Sequence, residues 1–175
     1  MSALESLEKS LDNLFVKNAP ALPKGGKDFL VQVLPWLNLI FGVLSLWSAL
    51  VLWRWAHAAD SLVDYANRLS AAYGGPAVAT NRLSVTVWLA LVVLVVEGLL
   101  MIAAFPGTRE RKKSGWNYVF YASLVNVAYA VVILFTDYGG VGSFIWSLLV
   151  SAIGLYLLFQ IRSAYKGVAV ASSKK

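Results

Sequence analysis

Four long stretches of the sequence carry almost no charge, and each is long enough to cross a lipid bilayer. A transmembrane helix needs about 20 consecutive, mainly apolar residues. The stretches cover residues 29–53, 83–105, 115–136 and 140–161, and Glu97 is the one charged residue inside them. The sequence therefore predicts an all-α integral membrane protein in which four spans form a helix bundle.

The amino-acid composition favours the same fold class. Hydrophobic residues make up 59% of the chain and charged residues 14%, whereas about a quarter of the residues of a soluble domain are charged. Trp and Tyr, which prefer the bilayer interface, stand close to the ends of the predicted spans. Because the chain contains no cysteine, disulfides, thiolate metal sites and thiol catalysis are excluded.

Positive charge is distributed unequally between the two sides of the predicted membrane. The segments 1–28, 106–115 and 162–175 carry 12 of the 15 Lys and Arg residues, and the connection between the first two spans carries the other 3. Since Lys and Arg concentrate in cytoplasmic loops, both termini are predicted to be cytoplasmic. The net charge of +6 is thereby assigned to topology and contact with anionic lipid, not to nucleic-acid binding.

Residues 1–28 are predicted to form a cytoplasmic amphipathic helix and a linker, ahead of the transmembrane bundle at 29–175. Ser2 and Glu5 have the spacing of a capping box, and four leucines then form one apolar stripe. The stripe consists of Leu4, Leu7, Leu11 and Leu14. We expect a helix over 2–16 that lies on the membrane interface or against the bundle, with a docking or self-association helix as the alternative. The stretch from Pro20 to Gly26 is expected to interrupt it.

The connections between the spans contain predicted helix ends and a basic cluster. Pro106 and Gly107 are expected to stop the second helix, and the first helix is expected to continue beyond residue 53 or to restart before Gly74. The basic cluster consists of Arg109, Arg111, Lys112 and Lys113. This cluster predicts contact with anionic lipid headgroups, with recognition of a soluble anionic ligand or protein as the alternative.

Four polar residues, one in each span, lie at similar depths in the predicted membrane. Counting from the cytoplasmic end of each helix puts them about 12–15 Å deep, at about 1.5 Å per residue. The set consists of Glu97, Asn126, Ser45 and Ser151. We expect Glu97 to point inward and to hydrogen-bond in this layer, above all with Asn126. Three roles are open for Glu97, namely a bond that locks the bundle, proton or ion handling, and binding of a polar ligand.

The C-terminal half of the sequence resembles a group of small four-span bacterial membrane proteins of unknown function. The resemblance rests on the segments 105–107 (FPG), 111–117 (RKKSGWN) and 156–163 (YLLFQIRS). It implies a location in the bacterial inner membrane. It implies no activity and no functional residues.

No catalytic, metal-binding or cofactor motif is recognisable in the sequence, which predicts no enzyme activity and no cofactor. The function predicted first is a non-enzymatic membrane protein that organises or binds partners. The predicted partners are membrane lipids with anionic headgroups, together with a second copy of the chain or another membrane protein. The alternative is a small proton- or ion-coupled channel or transporter that uses Glu97. A transporter predicts a hydrated cavity that reaches Glu97, and an organising protein predicts a dry, packed centre.

Overall fold

A computed structural model of the chain describes residues 3–77, 85–136 and 140–165. These residues are almost entirely helical. The helices are α1 (Ala3–Asp12), α2 (Lys24–Ala72), α3 (Val85–Arg109), α4 (Lys113–Leu134) and α5 (Val141–Gln160), with a π-helical turn at Asn13–Lys17 and a 3-10 turn at Arg162–Tyr165. Helices α2 to α5 are each long and apolar enough to cross a membrane. The prediction of an all-helical chain with four candidate spans is confirmed for the described residues.

Helix α2 is far longer than a membrane is thick. Its 49 residues extend over about 74 Å, against about 30 Å of hydrocarbon in a bilayer. The first predicted span therefore continues beyond residue 53 without a break. Gly74, with φ of 71°, follows the helix end in the left-handed conformation that glycine adopts easily. The predicted linker is too long, because α2 already begins at Lys24, where the Lys27 N–H donates to the Pro23 carbonyl at 3.1 Å.

The prediction that Pro106 and Gly107 end the second helix is wrong. Helix α3 contains Pro106 and continues to Arg109, where two backbone bonds close it. The Lys112 N–H donates to the Gly107 carbonyl at 2.8 Å, and the Arg111 N–H donates to the Thr108 carbonyl at 3.2 Å. This pair of bonds is a Schellman motif. The helix tolerates Pro106 because proline removes one N–H without preventing the later bonds.

Close contacts between backbones join α2 to α3 and α3 to α4. A Cβ atom added to Gly42 of α2 would lie 3.0 Å from the Gly98 carbonyl oxygen of α3. A Cβ atom added to Gly115 of α4 would lie 2.2 Å from the Thr108 nitrogen of α3. Helices in lipid associate through such small residues because they let backbones approach. Glycine is therefore required where α2 crosses α3 and where α3 turns into α4.

The densest packing lies at the end of the bundle that carries α1, the α3–α4 turn and residues 161–165, which we call the terminal end. Trp116 stacks on Phe120, with ring centroids 5.3 Å apart, and meets Phe159 edge to face at the same distance. The Trp116 indole N–H donates to the Leu158 carbonyl at 3.0 Å. The buried cluster around these rings joins α4 to α5.

Helix α1 and the segment after it lie under this cluster. Leu11 and Phe15 pack against it, and the Phe15 ring lies 6.2 Å from that of Phe159. The rest of the leucine stripe is exposed at the protein surface, at Leu4, Leu7 and Leu14. The predicted Ser2–Glu5 capping box includes Ser2, which lies outside the described residues.

The opposite end, which we call the far end, is packed more loosely. Helix α2 projects beyond its contact with α3, and its outer part exposes Leu62, Tyr65 and Leu69. Between α4 and α5, a cavity of about 180 Å³ separates Tyr129 and Ala130 from small side chains of α5. Helices α4 and α5 are thus joined firmly at the terminal end and separate toward the far end.

Candidate functional site

Glu97 lies in the interface between α3 and α4. The Asn126 side-chain amide donates to the Glu97 carboxylate at 3.5 Å, and both side chains are half-buried. At this distance the bond is long. The sequence predicted similar depths for these two residues, and the structure brings their side chains together.

Ser45 and Ser151 take a different place. Both are half-buried, and among residues 3–77, 85–136 and 140–165 no hydrogen bond joins either hydroxyl to Glu97. The four residues therefore do not form one hydrogen-bond network among the described residues. Of these four residues, Glu97 on α3 and Asn126 on α4 are the two that contact each other.

A second polar pair lies near the terminal end, and the sequence reasoning missed it. Asn38 of α2 and Thr108 of α3 are both buried, and the Asn38 amide donates to the Thr108 hydroxyl at 3.4 Å. The same hydroxyl donates to the Ala104 carbonyl at 2.8 Å. An asparagine inside an apolar span was the available signal, because a buried amide requires a partner.

Helices α2 and α5 border an apolar groove instead of closing the bundle. A cavity of about 270 Å³ lies between them. Its lining is almost wholly apolar and consists of Leu30, Leu34, Leu37, Asn38, Phe41, Met101, Val119, Ser123, Gly154, Leu157, Leu158 and Ile161. Phe41 stands at the edge of this groove with 52% of its surface exposed. Glu97 does not line this cavity, the α4–α5 cavity or the shallow far-end cavity beside Trp53 and Trp88.

The glycines of α5 differ from Gly42, Gly98, Gly107 and Gly115, at which an added Cβ atom would meet a neighbouring helix. A Cβ atom added to Gly154, in the groove, would meet nothing within 4 Å, and the same holds for Gly142 near the start of the helix. Internal packing therefore does not require glycine at either position. At Gly154 the missing side chain leaves the backbone of α5 open to the groove.

A set of polar contacts fastens the N-terminal segment to the end of α5. The Gln160 side chain is buried; its amide donates to the Phe15 carbonyl at 2.8 Å, and its oxygen accepts from the Leu22 N–H at 3.2 Å. Arg162 donates to Asp12 at 2.7 Å and also pairs with Glu8. We call residues 3–23, held in this way, the N-terminal strap. Sequence periodicity could not reveal it, because the partners are about 150 positions apart.

The four residues of the basic cluster are exposed and occupy different positions. Arg109 ends α3, and Arg111 follows in the left-handed conformation, with φ of 54°. Lys112 forms an ion pair with Glu110. Lys113 begins α4 and lines a small cavity together with Trp116, Arg162 and Tyr165. Within the cluster, Lys112 thus forms an ion pair, Arg111 adopts a strained backbone conformation and Lys113 lines a cavity.

Among residues 3–77, 85–136 and 140–165, no group of three or more His, Asp or Glu side chains is placed to hold a metal ion. Comparison with known proteins adds no assignment: no protein-family model, no curated protein and no solved structure matches this chain. The arrangement of the side chains is therefore the basis for any functional conclusion.

Proposed function

We propose that this chain is a non-enzymatic membrane protein that organises membrane components by helix packing, and that its groove between α2 and α5 receives a second copy of the same chain. The groove is the observation that supports this. Consecutive helices pack on one another, whereas α2 and α5 leave an apolar cavity of about 270 Å³ where a closed bundle would have a fourth contact.

The shape of the groove favours a copy of the chain as its occupant. Gly154 offers an open backbone surface, and Phe41, 52% exposed, projects at the edge of the same groove. A twofold dimer uses the same patch on both subunits, so that a projection on one must meet a depression on the other. Phe41 of each copy would then lie over Gly154 of its partner subunit.

The proposal includes a location in the bacterial inner membrane, with both termini in the cytoplasm. The unequal distribution of Lys and Arg supports this orientation. Thr108 is buried, so a labelling experiment should use exposed positions. An impermeant thiol reagent added to intact cells should label Ser61→Cys and not Arg109→Cys, and the reverse result would contradict the orientation.

The assembly is tested by placing a large side chain in the groove. Gly154→Leu should leave the monomer folded, because nothing lies within 4 Å of the added Cβ atom, and should block the approach of a second helix. Energy transfer between labelled copies in phosphatidylcholine vesicles, measured over a range of protein-to-lipid ratios, should show self-association for the wild type. The variant should lose it by roughly tenfold or more, in line with close packing of helices in lipid.

Gly142→Leu is the matched control. It makes the same change on the same helix, also in open space, but outside the groove, and should associate like the wild type. Phe41→Ala should weaken association as Gly154→Leu does. A wild type that stays monomeric at every ratio, or a Gly154→Leu variant that associates normally, would overturn the proposed assembly.

The Glu97–Asn126 pair supports a second candidate, a small proton- or ion-coupled channel or transporter. An ionisable side chain within a span is a default functional candidate. The Glu97 carboxylate already accepts a hydrogen bond from Asn126, and Glu97 does not line the groove. The transporter candidate therefore ranks below the proposed self-assembly. Vesicles with a trapped pH indicator separate the two. A transporter should show proton flux that Glu97→Gln abolishes without unfolding the protein, and an organising protein should show none.

A further inference from the structure

A small cavity at the terminal end has the features of an anion site. Its volume is about 100 Å³ and its lining consists of Lys113, Trp116, Arg162 and Tyr165. This space is several times what a single water molecule requires. It lies outside the α2–α5 groove, and the inference drawn from it does not depend on the proposed assembly.

Tyr165 provides the first sign of a ligand. The residue is 1% exposed, and its hydroxyl is buried with no hydrogen-bond partner among the described residues. Buried polar atoms are nearly always paired, so that an unpaired one calls for a partner such as a water molecule or an ion. Burial raises the pKa of Tyr165 to about 12. The hydroxyl therefore stays protonated at cytoplasmic pH and is able to donate.

Positive charge surrounds this hydroxyl. Lys113 and Arg162 line the cavity, and the charge of Arg111 acts on the Tyr165 hydroxyl by favouring its ionised form. The opposing carboxylates are Glu8 and Asp12, both of which pair with Arg162. A guanidinium has five N–H donors, so these two pairs do not use all of them.

We propose that this cavity binds a phosphate group, which accepts hydrogen bonds from the Tyr165 hydroxyl, the Lys113 ammonium and the Arg162 guanidinium. Because the three cationic side chains near the cavity outnumber the two carboxylates, a metal cation would be repelled and is not the preferred occupant. A phosphate has several strong acceptor oxygens and suits converging donors of both Arg and Lys. The group belongs either to an anionic lipid headgroup or to a free phosphate.

Titration of the full-length protein in phosphatidylcholine nanodiscs with inorganic phosphate, followed by calorimetry, tests the free anion. Native mass spectrometry of protein extracted from vesicles that contain phosphatidic acid tests the headgroup. We expect binding in at least one arm. Lys113→Gln and Tyr165→Phe should each weaken it by roughly tenfold, as expected for the loss of one hydrogen bond to a charged group.

The matched control is Arg109→Gln, which removes one charge from the same turn but does not line the cavity. It should retain wild-type binding, and Lys113→Gln, at an exposed position, should fold normally. Binding of phosphatidic acid without inorganic phosphate assigns the headgroup, and binding of inorganic phosphate supports a phosphate site open to soluble ligands. The proposal is overturned if neither anion binds, or if Arg109→Gln weakens binding as much as Lys113→Gln does.

Discussion

The two ends of the bundle hold their helices together in different ways. At the terminal end, aromatic rings around Trp116 fill the space between α4 and α5. The N-terminal strap adds two ion pairs with Arg162 and backbone hydrogen bonds to the Gln160 side chain. At the far end, Trp53 and Trp88 touch each other edge to face on the protein surface, and α4 and α5 border a cavity of about 180 Å³.

This difference shows that an apolar sequence does not ensure a packed interior. All four long helices are apolar enough to span a membrane, yet lipid solvates large apolar side chains as well as a protein interior does. Close contact in a membrane therefore depends on small residues and on paired polar groups. Both occur at the terminal end, at Gly107 and Gly115 and at Asn38 and Thr108.

The largest effect is expected where backbones touch. In Gly115→Ala, the new Cβ atom would lie 2.2 Å from the Thr108 nitrogen and 2.3 Å from the Gly107 carbonyl carbon. Because these are backbone atoms of a closed turn, relief requires the α3–α4 connection to move. We expect a loss of about 3 kcal/mol or more in the free energy of unfolding, the upper range for overpacking, measured by denaturant unfolding in mild detergent.

Gly142→Ala provides the comparison at the far end. Its Cβ atom would meet nothing within 4 Å, and alanine favours helix over glycine by up to about 1 kcal/mol. The variant should be as stable as the wild type or slightly more so. Equal losses for Gly115→Ala and Gly142→Ala would show that the two ends do not differ in packing.

A smaller effect is expected from the ion pairs of the N-terminal strap. Arg162→Gln removes the partner of Glu8 and Asp12, whose side chains are less than one-third exposed. Loss of hydrogen bonds to charged groups should lower stability by about 2 kcal/mol and release α1 from the bundle. Limited proteolysis should then cut within residues 3–23 while α2 to α5 stay protected.

Lys9→Gln is the control. Lys9 is exposed on α1, and its side chain carries the same positive charge as that of Arg162. It should leave the cleavage pattern unchanged. If the strap of Arg162→Gln stays as protected as that of the wild type, Gln160 and Phe15 hold it without the ion pairs.

The last effect concerns Tyr165 and appears only at alkaline pH. Burial raises the pKa of its hydroxyl to about 12, and Arg111 opposes part of this increase. A group with a raised folded pKa contributes fully below its unfolded value near 10 and loses that contribution as the pH rises through about 12. The stability of the wild type should therefore fall between pH 10 and 12, and Tyr165→Phe should lack this component. Exposed Tyr118, changed to Phe, should leave the fall intact.

Several features followed from the sequence because they depend on neighbouring residues. Long uncharged stretches predicted four helices long enough to span a membrane. The similar estimated depths of Glu97 and Asn126 predicted the contact between these two side chains. Propensity was misleading at Pro106, where backbone bonds on either side of the proline keep α3 helical as far as Arg109. The rule that proline ends a helix failed there because the backbone bonds of the α3–α4 turn set the end of α3 at Arg109.

The sequence by itself determined the length and apolar character of the spans, because a helix must be long and apolar enough to match the hydrocarbon thickness of the bilayer. Only the tertiary structure decided the partners of Gln160 and Arg162, the open backbone at Gly154 and the lack of a hydrogen-bond partner for the Tyr165 hydroxyl among the described residues. These features depend on which helix faces lie against each other. In lipid, an apolar side chain is equally stable against a neighbouring helix and against an acyl chain, so the pattern of hydrophobic residues does not specify which helices meet.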